Sequence, residues 1–190
     1  MKPDYNIKFY YGIRRILKPI FKIVYNPQVK GLENIPTTSF ILAGNHTSLL
    51  DIPFLITTIE RPIRFMSKVE NFNNKIVAHI FYKMGAFPVD RDNCAVSTIK
   101  KSINIIKDNQ ILGIFPEGKR NKEKKLLPFK RGIEVLALST NTVILPFAIN
   151  GEYKFGKIFL NIGKPINLKE ADIPKKEITE YIRGKVKELL

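Results

Sequence analysis

Short apolar runs alternate with longer stretches of helical periodicity through most of the chain, and this alternation is the strongest constraint on what it can fold into. Runs of strand length lie at 39–44, 63–67, 86–89, 111–115, 143–149 and 158–162, and helices are expected at 52–59, 70–83, 95–108 and 131–140. A last amphipathic pattern, 175–190, carries Ile178, Ile182, Val186 and Leu189 inward. Strands that alternate with helices make an α/β domain, so the expected fold is a mixed, largely parallel sheet flanked by helices, over residues 27–190. A chain of 190 residues, 44% of them hydrophobic, can bury a core of that kind. Pro146, inside the 143–149 run, argues against a fully paired central strand there.

Ahead of this domain, residues 1–26 read as an amphipathic helical appendage. Phe9, Ile13, Ile16, Leu17, Ile20 and Val24 recur at helical spacing over 5–25, with a break expected near Pro19. Residues 1–30 hold seven basic residues and one acid, Asp4, with five aromatics between Phe9 and Tyr25. That is the make-up of a helix lying on an anionic lipid surface; the alternative is a helix docked on the domain's own core. Nothing approaches the 18 apolar residues of a membrane span, and a signal peptide's uninterrupted core is absent, so the expectation is a peripheral protein on the cytoplasmic face of a membrane.

Charge narrows the partners. Thirty-two Lys and Arg against 17 Asp and Glu give a net charge of +15, which suits anionic lipid, phosphorylated metabolites or nucleic acid without separating them. A lone cysteine, Cys94, excludes an internal disulfide, and the two histidines, His46 and His79, lie too far apart in sequence to suggest a metal centre. Neither a Gly-x-Gly-x-x-Gly turn nor a Walker-type loop is present, so no metal and no cofactor is expected.

The chemistry concentrates in four segments. Asn45-His46-Thr47-Ser48-Leu49-Leu50-Asp51 follows the 39–44 strand and sets a histidine and a carboxylate, four residues between them, at a strand-to-helix junction. That edge of an open α/β sheet is where ligands bind, and the pair can move a proton; the plainer reading makes Asp51 a helix cap. Gly85-Ala86-Phe87-Pro88-Val89-Asp90-Arg91 ends a strand on a guanidinium suited to a phosphate, or merely paired with Asp90 or Asp92. Phe115-Pro116-Glu117-Gly118-Lys119-Arg120 places an acid, a flexible glycine and two bases just past the 111–115 strand. The fourth segment is Val143 to Ala148, around Pro146.

Taken in order, these segments resemble the four motifs of the glycerolipid acyltransferases, most closely those acting on lysophosphatidic acid. The resemblance runs from about residue 26 to 165, and the Asn-His-x-Ser-x-x-Asp and Phe-Pro-Glu-Gly-x-Arg blocks carry it. Lys119 stands where the family often has Thr or Ser, and Phe87 and Val89 replace smaller or Ile-like residues, without loss of a charged group. Phe65-Met66-Ser67-Lys68-Val69-Glu70 is similar to a stretch whose lysine lies near the phosphate, and Phe129-Lys130-Arg131-Gly132 to the stretch after the third motif.

The resemblance implies acyl transfer from an acyl-CoA or acyl carrier protein thioester to the sn-2 hydroxyl of a lysophospholipid, giving phosphatidic acid. His46 is the expected base and Asp51 its orienter, with no acyl-enzyme, because the substrate brings its own hydroxyl. Arg91, then Lys68 and Arg120, are candidates for the acceptor's phosphate, and Glu117 with Gly118 for shaping the acceptor site, Glu117 by binding glycerol or holding an arginine. Glycerol 3-phosphate or another lyso-lipid is the alternative acceptor. A basic module for membrane or nucleic acid is the alternative of another class; it explains only the charge, and no nucleic-acid partner is expected.

Overall fold

Phe40 to Gly44 is apolar without alternation, as in a strand covered on both faces, and in the computed structural model all five residues are buried at the centre of a sheet. The structure describes residues 5–90, 96–121, 123, 125–171 and 173–190. Its strands are β1 (Gln28–Lys30), β2 (Phe40–Gly44), β3 (Ile63–Lys68), β4 (Phe87–Val89), β5 (Ile111–Ile114), β6 (Ile144–Gly151) and β7 (Ile158–Ile162). They form one sheet in the order β1-β7-β6-β2-β5-β3-β4, with every pairing parallel except β6 with β7. The helices are α1 (Ile7–Tyr25), α2 (Asp51–Thr58), α3 (Lys75–Lys83), α4 (Val96–Lys107), α5 (Gly132–Thr140) and α6 (Ile178–Lys187).

Successive residues of the strands serve two cores. Phe40, Leu42, Ile63, Phe65 and Phe147 pack with Tyr10 and Phe21 of α1 and Phe54 and Leu55 of α2. Ile41, Ala43, Leu112, Ile114 and Ala148 face the other way, onto Ile105 of α4, Leu136 of α5 and Ile182 of α6. The chain leaving β2 therefore turns to one face of the sheet, and the chain leaving its neighbour β5 reaches its next helix on the other. Between two such departures the carboxyl ends of the strands stand clear, which opens a crevice there.

Three local expectations are corrected. Pro146 lies in an interior strand, paired through β6 to both β2 and β7, and not at an edge. Its carbonyl accepts the Gly163 N–H at 2.8 Å, so the N–H it lacks would point to the same side, where the β6–β7 ladder has yet to begin at Phe147 and Ile162. Pro19 does not break α1, which runs unbroken through it; Arg15, whose carbonyl loses its donor, is exposed, so that oxygen is not buried without a partner. The expected 70–83 helix divides into a single 3-10 turn, Val69–Phe72, and α3, because Asn74 caps the latter by accepting the Ile76 and Val77 N–H groups. β1 had no sequence signal, being three residues of alternating exposure at the sheet's edge.

Helix α1 is docked and exposed at once. The Ile63 N–H donates to the buried Tyr10 hydroxyl at 3.1 Å, and the Arg14 guanidinium donates to the Ile56 and Thr57 carbonyls at the end of α2. Burial pushes the Tyr10 phenol well above the ordinary tyrosine range. On the other side Ile16, Ile20 and Ile23 are 60%, 45% and 73% exposed. Among the described residues no helix is long and apolar enough to cross a membrane.

Candidate active site

β2 brings the chain to Gly44, where an added Cβ would strike the Phe147 carbonyl oxygen, so only glycine lets β2 and β6 lie this close. Asn45 then extends the pairing with a side chain. Its amide donates to the Ile149 carbonyl at 2.8 Å and accepts the Ile149 N–H at 2.7 Å, one step beyond the last strand pair, Gly44 with Phe147. The loop that follows is thereby fixed to the sheet at its first residue.

His46 is gripped through its backbone from both sides. Its N–H donates to Glu117 Oε1 at 2.8 Å, and its carbonyl accepts the Asn121 N–H at 2.7 Å. Glu117 is delivered by a turn after β5 that closes when the Gly118 N–H reaches the Phe115 carbonyl at 3.0 Å, with Pro116 at the second position and Gly118 at a φ of 72°. The second Glu117 oxygen accepts the Leu127 N–H at 3.0 Å. Burial raises the Glu117 carboxyl above its ordinary range, against the opposing pull of those two N–H groups and of His46.

The imidazole itself is held by a carboxylate and a ring. Nδ1 lies 2.8 Å from Asp51 Oδ2, and the ring stacks on Phe115 with centroids 3.9 Å apart and planes at 16°. Asp51 does not cap α2. Its Oδ2 turns back to the loop and accepts the Thr47 and Ser48 N–H groups at 2.7 and 2.9 Å, and its Oδ1 accepts the Tyr153 hydroxyl at 2.6 Å. A fully buried carboxyl surrounded by donors is an ionised acceptor, so Nδ1 carries the proton and Nε2 keeps its lone pair.

His46 lines a cavity of about 460 Å³ enclosed by Ile13 and Leu17 of α1, Ile52 and Ile56 of α2, Ile80 and Phe81 of α3, and Phe65. The walls are apolar, and two cations, Lys68 and Arg120, join the lining. Lys68 is half-exposed and lies 2.6 Å from Glu70, a solvated pair that leaves the ammonium free to exchange partners. Phe115 also lines a second apolar cavity of about 220 Å³ on the α4 and α5 side, so its ring is the wall between the two.

Of the residues expected from sequence, His46 and Asp51 are in contact, and Lys68 and Arg120 share their cavity. Glu117 and Gly118 stand behind the histidine, the first on backbone N–H groups and the second in the turn that carries it. Arg91 lies outside the described residues. Sequence reasoning missed Tyr153, 102 positions from its partner, which no spacing could reveal. It also missed the ladder-extending task of Asn45 and the ring stack of Phe115, although both lie within quoted motifs.

With this geometry in view, a family model described as Acyltransferase matches residues 26–150. The 1-acyl-sn-glycerol-3-phosphate acyltransferase of Bacillus subtilis (strain 168) is 35% identical over 91% of this chain and 92% of its own length. A chloroplastic 1-acyl-sn-glycerol-3-phosphate acyltransferase of Brassica napus, BAT2, is 28% identical over 97% of this chain, which spans 57% of that longer protein. Among solved structures, the 1-acyl-sn-glycerophosphate (LPA) acyltransferase PlsC of Thermotoga maritima superposes with a TM-score of 0.73 at 28% identity, covering 95% of this chain and 79% of its own.

Proposed function

The chain belongs to the acyltransferase family, and on that premise we propose that it transfers a fatty acyl group from a thioester to the sn-2 hydroxyl of lysophosphatidic acid. The observation that carries this reading is the buried His46–Asp51 pair on the wall of an apolar cavity whose lining includes Lys68 and Arg120. A glycerol hydroxyl keeps its proton at neutral pH and attacks poorly. Nε2 of His46 takes that proton as the hydroxyl oxygen bonds to the thioester carbonyl carbon, and Asp51 stabilises the imidazolium through Nδ1. The tetrahedral intermediate expels the thiolate as the C–S bond breaks, and the imidazolium returns the proton to sulfur. Phosphatidic acid and a free thiol leave, without an acyl-enzyme.

The acceptor's phosphate needs fixed cations. Their presence in the lining of the His46 cavity supports Lys68 and Arg120 in that role, and Arg91 remains a candidate on its motif alone. Glu117 shapes this site through the His46 backbone it holds, with Gly118 supplying the turn. The donor is an acyl-CoA or an acyl carrier protein, both of which present anionic groups to a chain of net charge +15. Residues 1–26 serve as the membrane-interface segment, laying the exposed Ile16, Ile20 and Ile23 on anionic lipid while residues 27–190 do the chemistry, so the protein works peripherally at the cytoplasmic face.

The test is purified protein with lysophosphatidic acid vesicles and each donor in turn, following phosphatidic acid by mass spectrometry beside His46→Ala. Wild type forms product with at least one donor, and the variant loses about a hundredfold to ten-thousandfold in kcat. An active His46→Ala would overturn the mechanism; inactive wild type with both donors would overturn the acceptor and direct the assay to glycerol 3-phosphate and other lyso-lipids.

A further inference from the structure

Tyr153 stands in the hairpin that turns β6 into β7, outside the four motifs and 102 positions from Asp51, yet its hydroxyl makes the shortest of the hydrogen bonds to Asp51, 2.6 Å to Oδ1. We propose that Tyr153 is a positioning residue of the acyl-transfer site, holding Asp51 so that Oδ2 alone faces the imidazole. The proposal rests on the reading of His46 as the base.

The two carboxylate oxygens are unequally served. Oδ2 gathers His46 Nδ1 and the Thr47 and Ser48 N–H groups, while Oδ1 has the phenol at 2.6 Å and otherwise a long 3.4 Å contact from the Thr47 hydroxyl. Asp51 is 0% exposed, so water does not replace a lost donor without rearrangement. Removing the phenol leaves a buried anionic oxygen short of a partner, and the group can then rotate away from the imidazole. Tyr153 is itself held: its ring meets Phe54 of α2 edge-on at 6.2 Å and Tyr25 of α1 edge-on at 5.7 Å, and the Gly156 N–H donates to the Tyr25 carbonyl at 2.7 Å. The end of the interfacial helix, the hairpin and the proton-moving pair thus form one connected unit.

The phenol is a dependable donor. Burial first, and the Asp51 charge next, push it far above the ordinary tyrosine range, so it stays a protonated donor at neutral pH. The titratable groups around Asp51 are His46, Tyr153 and, through space, Glu117, with Tyr25 behind the phenol. Without the phenol's bond Asp51 no longer holds Oδ2 against Nδ1, the imidazolium loses its counter-charge, and the acid limb of the rate profile moves to lower pH.

The decisive variant is Tyr153→Phe, which keeps both ring contacts and deletes only the hydroxyl. Its kcat on lysophosphatidic acid vesicles is expected to fall about tenfold with KM little changed, a loss suited to a hydrogen bond on a charged group. The acid limb of kcat/KM is expected to fall by roughly half a unit or more. Wild-type kcat with an unmoved limb overturns the proposal, and so does a lower kcat with an unmoved limb, since packing alone would then explain it; melting temperatures correct for any unfolded fraction. His46→Ala in the same series separates the failures: if it is active, the base itself is wrong, whereas if it is dead and Tyr153→Phe is normal, only the positioning role falls.

Discussion

Asp51 is ringed by donors, and that makes its charge separable from its shape. In Asp51→Asn the amide oxygen can take the Oδ2 position, while the amide N–H₂ meets Tyr153, whose hydroxyl can turn from donor to acceptor. The fold should therefore survive with little change in Tm while kcat drops about a hundredfold to ten-thousandfold, because the imidazolium loses its counter-charge. Glu117 behaves differently. Its raised carboxyl means that folding favours the protonated form, so its contribution to stability is complete below the ordinary glutamate value and is lost as pH rises through the folded-state value. The Tm advantage of wild type over Glu117→Gln is expected to shrink across that window; an advantage that widens with pH would contradict the direction. His46 and Asp51 were legible in the sequence because six consecutive positions at one strand-to-helix junction hold both. Glu117 was named, but its task was not, since a carboxylate that binds backbone N–H groups looks in sequence like one that binds substrate. Tyr153 was invisible because its nearness to Asp51 is created only when β6 lies beside β2.

At the scale of elements, the alternation of apolar runs found six of the seven strands, since a doubly covered strand must be apolar throughout and thereby announces itself. β1 stayed hidden because it pairs through its backbone with β7 and buries little. Pro19 and Pro146 were misread for one shared reason: a missing N–H matters only if something waits to receive it, and neighbours outside the local sequence decide that. The docked reading of α1 describes one side of it, and the other side is exposed, which is what the lipid-facing proposal rests on. Deleting residues 1–25 would remove Tyr10 and Phe21 from the core together with the exposed isoleucines, so its outcome would be ambiguous. Point variants separate the two faces. Ile20→Ser with Ile23→Ser should weaken vesicle binding while leaving Tm almost unchanged, whereas Phe21→Ala should destabilise the fold by about 3–5 kcal/mol, read by denaturant unfolding. Equal vesicle binding by the double serine variant would remove the exposed face as the lipid contact.

For the whole molecule, a net charge of +15 makes association with an anionic bilayer dependent on ionic strength. Sedimentation with vesicles rich in acidic lipid should weaken steeply as salt is raised, and only slightly with zwitterionic vesicles, where the isoleucines act alone. Composition suggested an anionic partner from the outset but not its identity; the proposed identity draws on His46, an apolar cavity and cations in one place. The docking of α1 also has a consequence in time. Its core partners, Phe54, the Ile56 and Thr57 carbonyls and the Ile63 N–H, are synthesised roughly 30 to 50 residues after it, a delay of a few seconds at ordinary elongation rates. During that interval the docking side of the helix lacks its partners and is as open as the isoleucine side. If α1 meets lipid as proposed, a ribosome working beside a membrane would present this segment before the crevice beside His46 exists, and attachment would begin with the nascent chain rather than with the folded protein.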